Sequence, residues 1–181
     1  MRFWNRLLVL IWFVCIAITS CGSSSHVAKG SDAELATFFH HLQDLVANDE
    51  LDEIKNMIAF PLQTLYWIDG DDSISMEEKQ QGLMSEEDYE EYKNDLFYEP
   101  VWTYMPQASE TEVRQINVAS SGSYYKELQQ KLDVNSPIYE YYRQYTLDGK
   151  VDGDFFAFVF GKVNGQYKIV GYYSKWPVMG E

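Results

Sequence analysis

From Asp154 to Tyr173 the chain carries two apolar-rich runs, Phe155 to Lys162 and Tyr167 to Tyr173, that meet at Asn164-Gly165. Asn-Gly is the preferred pair for a two-residue type I′ turn, because both central residues need positive φ and the turn's twist matches that of the strands. The turn predicts a hairpin register. Lys162 faces Tyr167, Phe160 faces Ile169 and Phe158 faces Gly171, while Val159 faces Val170 and Ala157 faces Tyr172. On that register Phe156, Phe158, Phe160, Ile169 and Tyr173 share one large apolar face, which needs a covering layer. Upstream, Ile138 to Leu147 splits into a wet face (Glu140, Gln144, Thr146) and an aromatic face (Tyr139, Tyr141, Arg143, Tyr145, Leu147). Asp148-Gly149 and Asp152-Gly153 mark the turn between these runs, so the end of the chain is predicted to be a three-strand meander stopped by Pro177.

The period changes in the first half. Leu35, Phe38, Phe39, Leu42, Leu45 and Val46 recur at helical spacing and make a wide stripe of the kind that lies across a sheet. Ser31-Asp32-Ala33-Glu34 is a capping box that starts this helix. After Asn48-Asp49-Glu50, the spacing of Leu51, Ile54, Lys55 and Ile58 predicts a second short helix. Pro61 then lacks an N–H, so Ala59-Phe60-Pro61-Leu62 is predicted to begin or flank an edge strand, continued by Leu65 to Ile68. Ser85 caps a further helix with Met84 placed to staple onto Tyr89; its buried side is Tyr89, Tyr92 and Leu96, and Glu99-Pro100 ends it. Glu112 to Ala119 alternates as a strand, and Tyr124 to Leu132 is compatible with helix or strand. The fold class is α+β, with N-terminal helices packed on a strongly curved, cone-like antiparallel sheet in a single domain over 31–181.

Met1 to Ser20 has the parts of a secretory leader: Arg2 and Arg6, an apolar run from Leu7 to Ile18, and the closing Ile18-Thr19-Ser20-Cys21. The run is about a dozen residues, against roughly 20 for a helix that spans a bilayer. The final four residues resemble the lipobox of bacterial lipoproteins at every position, which implies acylation of Cys21 and anchoring of the protein by its lipid. The two cysteines of the chain fit this, since Cys15 leaves with the leader and Cys21 carries the lipid. Gly22 to Gly30 reads as a flexible tether. With no acidic cluster directly after Cys21, the expected address is the outer membrane, facing the periplasm.

Net charge is −14, and the leader would take two arginines and no acidic residue with it, leaving the mature chain more negative still. Such a surface repels phosphate backbones and anionic head groups, which excludes nucleic acid as a partner and leaves membrane attachment to the lipid.

Candidate chemistry is sparse. His40 and His41 are too close in sequence to share a helical face, so the i, i+4 metal spacing is absent and both read as boundary or surface residues. Asp69, Asp71 and Ser73 place oxygens at alternate positions and hint at a calcium loop, but Ile74 and Gln80 stand where its Gly and bidentate Glu belong. Asp154 starts a strand beside a turn, where solvation is the default. Arg143 interrupts a row of tyrosines, and a buried guanidinium needs a carboxylate or a bound anion; an acidic partner within the chain or a place at the rim is the plainer expectation. No metal or other cofactor is expected.

The capped first helix with Phe38-Phe39, the Ile58-Ala59-Phe60-Pro61-Leu62 segment, the Ser85-Glu86-Glu87 helix and the two closing strands resemble the cone-shaped domains of the nuclear transport factor two superfamily, and specifically the envelope lipoproteins of the Bacteroides type that carry such a domain. The resemblance implies the fold. It leaves activity open, because that superfamily includes isomerases and dehydratases as well as non-catalytic binding and dimerising domains. The reading that follows is a lipid-anchored binding or scaffolding domain with an aromatic concavity, formed by Arg143, Tyr139, Tyr141, Tyr145, Phe158 and Phe160, for a small organic ligand, peptide or glycan. The alternatives are an enzyme of the isomerase or dehydratase kind, with an acid and a Tyr deep in the cone, and a purely structural envelope protein with a protein partner or a second copy of itself. Trp67, Trp102 and Trp176 exposed in one patch would favour a partner or sugar surface.

Overall fold

In the computed structural model, which describes residues 32–67, 75–146, 153–176 and 178, the elements follow one another as α1 (Asp32–Ala47), α2 (Leu51–Lys55), β1 (Ile58–Gln63), α3 (Met76–Gln81), β2 (Leu83–Met84), α4 (Glu86–Leu96), α5 (Glu99–Tyr104), β3 (Val113–Ile116), α6 (Ser123–Gln129), β4 (Ile138–Tyr145), β5 (Asp154–Val163) and β6 (Gln166–Ser174). The strands form one open sheet in the order β2-β1-β6-β5-β4-β3, with helices packed on it, an α+β fold. All strand pairs are antiparallel except β1 with β6, which run parallel. The leader, the Ser31 cap, the tether and the 69–73 loop lie outside the described residues.

The β5–β6 turn forms at Asn164-Gly165, with φ of 54° and 79°. Asp133 holds it from outside the hairpin, its carboxylate accepting from the amides of Asn164 at 2.9 Å and Gly165 at 2.7 Å. Near the tip the register is the predicted one: Lys162 pairs with Tyr167 and Phe160 with Ile169. Beyond that it shifts by one residue, because Val170 bulges out of β6. Phe158 therefore stands opposite Tyr172, Val159 opposite Gly171 and Ala157 opposite Tyr173. A bulge sends every later side chain of its strand to the other face. Tyr172 joins Phe156, Phe158, Phe160 and Ile169 on the first face, and Tyr173, predicted there, lies on the second.

Helices α1, α2, α4 and α5 cover the first face. Phe38 and Phe39 of α1 meet Phe160 at 5.6 and 6.0 Å, and Phe97 lies 5.5 Å from Phe158. The second face has its own cover in α6, whose Tyr124, Tyr125 and Leu128 pack with Trp67 over Ala157, Val159, Val170 and Tyr173. Tyr124 to Leu132 thus resolves as a helix through Gln129 and a turn.

Three boundaries differ from the expected ones. Glu112 to Ala119 contributes only Val113–Ile116 as strand, with 3-10 turns on both sides. The Ser85 helix forms with its capping box, Ser85 Oγ accepting from the Asp88 amide and Asp88 from the Ser85 amide. It ends at Leu96, before Pro100, which occupies the first turn of α5, where a missing N–H costs nothing. Strand β1 is interior, between β2 and β6, and stops at Gln63; Pro61 is tolerated because the pairing with β6 is irregular between Ile58 and Gln63, and β2 pairs only with Leu62 and Gln63.

Candidate functional site

A cleft of about 310 Å³ separates the N-terminal half of α1 from the β3 edge of the sheet. Its walls are Leu35, Ala36 and Phe39 from α1, Val113 and Gln115 from β3, and Tyr139 from β4. The helical stripe and the strand alternation produce it together. Val113 and Gln115 pair with Tyr141 and Tyr139, so both point to the α1 side. At one end stand Glu110 and Thr111, in the 3-10 turn before β3. An apolar hollow with a few polar groups on its rim is the usual form of a small-ligand site.

His40 stands behind that rim, bonded to Glu110. Gln43, buried on the next turn of α1, donates its amide to the carbonyls of Met105 at 2.8 Å and Ala108 at 2.9 Å. Its Oε1 is thereby left to face His40 Nδ1 at 3.0 Å, while His40 Nε2 meets Glu110 Oε1 at 2.5 Å. Gln43 thus orients the imidazole, and the Glu110 carboxylate, with help from Gln43, raises the His40 pKa above its usual 6.5.

The residues expected to line an aromatic concavity come together as a packed layer. Tyr139, Tyr141, Tyr145, Phe158 and Phe160 are all buried on the first face beneath the helices. Tyr139 alone among them borders the cleft. Burial pushes the Tyr141 phenol up to about 12. Arg143 lies at the border of this layer, its Nη1 3.0 Å from Glu112 Oε1 and its guanidinium 4.6 Å from the Tyr104 ring. That is the acidic partner within the chain. The tryptophans do not share a patch: Trp67 is buried on the second face, Trp102 packs against the first-face core and Trp176 is exposed.

Asp154 is the main correction. It is 1 % exposed rather than solvated, because its position in β5 has the parity of Phe156 and Phe158 and so lies on the covered first face. It pairs across the ladder with Tyr145, and its Oδ1 lies 3.0 Å from Lys175 Nζ. Beside it the hydroxyls of Tyr98 and Tyr145 meet at 2.8 Å. The Tyr172 hydroxyl, also buried here, has no hydrogen-bond partner of normal geometry among the described residues. Burial, above all, raises the pKa of Tyr98, Tyr145 and Tyr172, so all three are held as neutral phenols.

Glu140 is a second correction, since it was expected on a wet face and is 8 % exposed. The hydroxyls of Tyr125 and Tyr173 both donate to its Oε1, at 2.5 and 2.7 Å. Among the described residues no basic side chain pairs with it. The sequence contained the relevant signal: Tyr124, Tyr125 and Leu128 form a helical stripe, and that stripe needs a second buried sheet face to cover.

Among the described residues no group of three His, Cys, Asp or Glu could hold a metal ion, and no helix is long and apolar enough to cross a membrane. Comparison with protein-family models, curated proteins and solved structures finds no match.

Proposed function

We propose that the protein is a lipid-anchored binding domain of the bacterial cell envelope, held at the outer membrane through Cys21 and taking up its ligand in the cleft between α1 and β3. The observation that carries the binding reading is the cleft itself, an apolar hollow with Glu110, Thr111 and Gln115 as its polar rim. The anchor rests on the lipobox-like Ile18-Thr19-Ser20-Cys21, and the cone-like family reading on the helices packed over a bulged, open sheet. This moves the ligand from the interior aromatic layer, which the helices fill, to the layer's border at Tyr139. Arg143 drops out as an anion contact, since Glu112 already pairs with it.

Two experiments test the two halves. Metabolic labelling with palmitate should mark the full chain and fail to mark Cys21→Ser; equal labelling of both contradicts the anchor. A thermal-shift screen of the protein against metabolites, sterols, glycans and peptides should give a stabilising hit that is lost in Ala36→Trp, which fills the cleft. A ligand at 100 times its Kd stabilises by about 2.7 kcal/mol. A hit that Ala36→Trp leaves intact refutes the cleft.

A second reading, an isomerase- or dehydratase-like enzyme, draws support from Asp154 beside three neutral tyrosines. A buried carboxylate near phenols is the kind of arrangement that moves a proton next to a developing oxyanion. Lys175, however, lies on Asp154 Oδ1 and favours a settled carboxylate over a base poised near neutrality.

A further inference from the structure

The cleft has one wall that is more than a set of side chains. Strand β3 is the last strand of the sheet, paired only with β4. Every second residue of an edge strand points its N–H and C=O away from its one neighbour. The Val113 N–H is taken by the Glu110 carbonyl of the preceding turn; beyond that, among the described residues no backbone hydrogen bond outside the β4 ladder is made by Arg114, Gln115 or Ile116. This open edge borders the same hollow that α1 roofs with Leu35, Ala36 and Phe39.

We propose that an extended peptide segment adds to the sheet along β3, placing one apolar side chain in the cleft and a basic residue near Glu110. The proposal rests on the cleft being the binding site and names the class of ligand it takes. A helix lying beside an exposed strand edge, with an apolar groove between them, offers both halves of peptide recognition by strand addition: main-chain bonds supply affinity, and the pocket for alternate side chains supplies selectivity. Side chains of an added strand alternate between faces, and those on the first face enter the hollow beneath α1. Arg114, exposed on β3, pairs with Glu140 across the ladder and so belongs to the second face, away from the hollow.

Charge argues for a basic peptide over a second copy of the chain. Glu110 bonds His40 through Oε1 alone, and with its side chain 53 % exposed at the mouth of the cleft it can take a second donor on Oε2; the protein as a whole carries a net charge of −14. Two such molecules repel each other, whereas a lysine-bearing peptide is drawn in.

The test uses the full chain and three synthetic peptides. The first has a central leucine flanked by threonines, with lysine at each end; the other two are the same sequence N-methylated on one or the other alternate set of amides, so that both registers are covered. The expected result is saturable binding of the parent peptide, loss of about tenfold or more for one of the methylated peptides, and loss of binding in Ala36→Trp. Amide resonances of Val113 to Ile116 should move and gain protection from exchange.

If both methylated peptides bind as well as the parent while Ala36→Trp abolishes binding, strand addition is overturned and the cleft stands. Strand addition is equally overturned if no peptide binds but a small apolar compound does so in an Ala36→Trp-sensitive way. Sedimentation showing a dimer that pairs through β3 also overturns the proposal, and absence of any ligand at the cleft overturns both readings.

Discussion

Gln43 and His40, one turn apart on α1, share a hydrogen bond of 3.0 Å in which the amide oxygen faces Nδ1. Because the Gln43 amide nitrogen is committed to two carbonyls, Nδ1 must be the donor. Nε2 then needs a proton of its own to bond Glu110, so the pair is complete only when the imidazole is a cation. The folded pKa of His40 is raised, and a raised pKa contributes stability that is fully present below the unfolded value near 6.5 and is lost as pH rises through the folded value. An NMR titration should give His40 a pKa above 6.5, falling toward it in Glu110→Gln. An unshifted His40 in the native protein refutes the pairing.

Phe158 is 1 % exposed, with Tyr172 at 4.9 Å and Phe97 at 5.5 Å. Phe158→Ala should cost about 3 to 5 kcal/mol in chemical denaturation, the range for large core truncations. A loss below about 1 kcal/mol would mean that this face is not the core.

Glu140 gathers two phenol donors on one oxygen. Tyr125→Phe and Tyr173→Phe each remove one hydrogen bond to a charged acceptor and should each cost about 1.5 to 3 kcal/mol. Their effects should not add, since both act through the same carboxylate. Additive losses in a double-mutant cycle would show two independent bonds.

Gly171 and Tyr124 meet where α6 crosses β6. A Cβ on Gly171 would come within 2.7 Å of the Tyr124 hydroxyl and 3.0 Å of Leu128 Cδ1. Gly171→Ala should therefore destabilise by about 1 to 3 kcal/mol, as overpacking does. The Tyr124 hydroxyl is buried with no hydrogen-bond partner among the described residues, so Tyr124→Phe should be nearly neutral alone and should recover part of the Gly171→Ala loss. Failure to recover any of it would place the clash elsewhere.

Much of this fold was written in periodicity. The α1 stripe, the Ser85 cap and the Asn164-Gly165 turn are local signals, set by residues within a few positions of one another, and all of them hold in the structure where they are described. What periodicity missed depends on partners distant in sequence. The bulge at Val170 moves Tyr172 and Tyr173 between faces, and no local signal marks it. Glu140 reads as a wet position until α6 closes over the second face, and Asp154 reads as a solvated strand start until Lys175 and the neighbouring tyrosines enclose it. The cleft was illegible for the same reason, because Leu35 and Val113 become neighbours only when the meander sets β3 beside α1. Arg143 is the opposite case: its chemistry demanded a carboxylate, and Glu112 provides one.

Ligand binding at the cleft is tested most directly by mapping amide shifts of the labelled full chain as a panel of small apolar compounds and the lysine-flanked peptide are titrated in. Saturable shifts are expected at Leu35, Ala36, Phe39, Val113, Gln115 and Tyr139, with Ala157 and Val159 on the opposite face unmoved. Shifts gathered instead at Tyr98, Tyr145 and Lys175 would contradict it and transfer the site to Asp154.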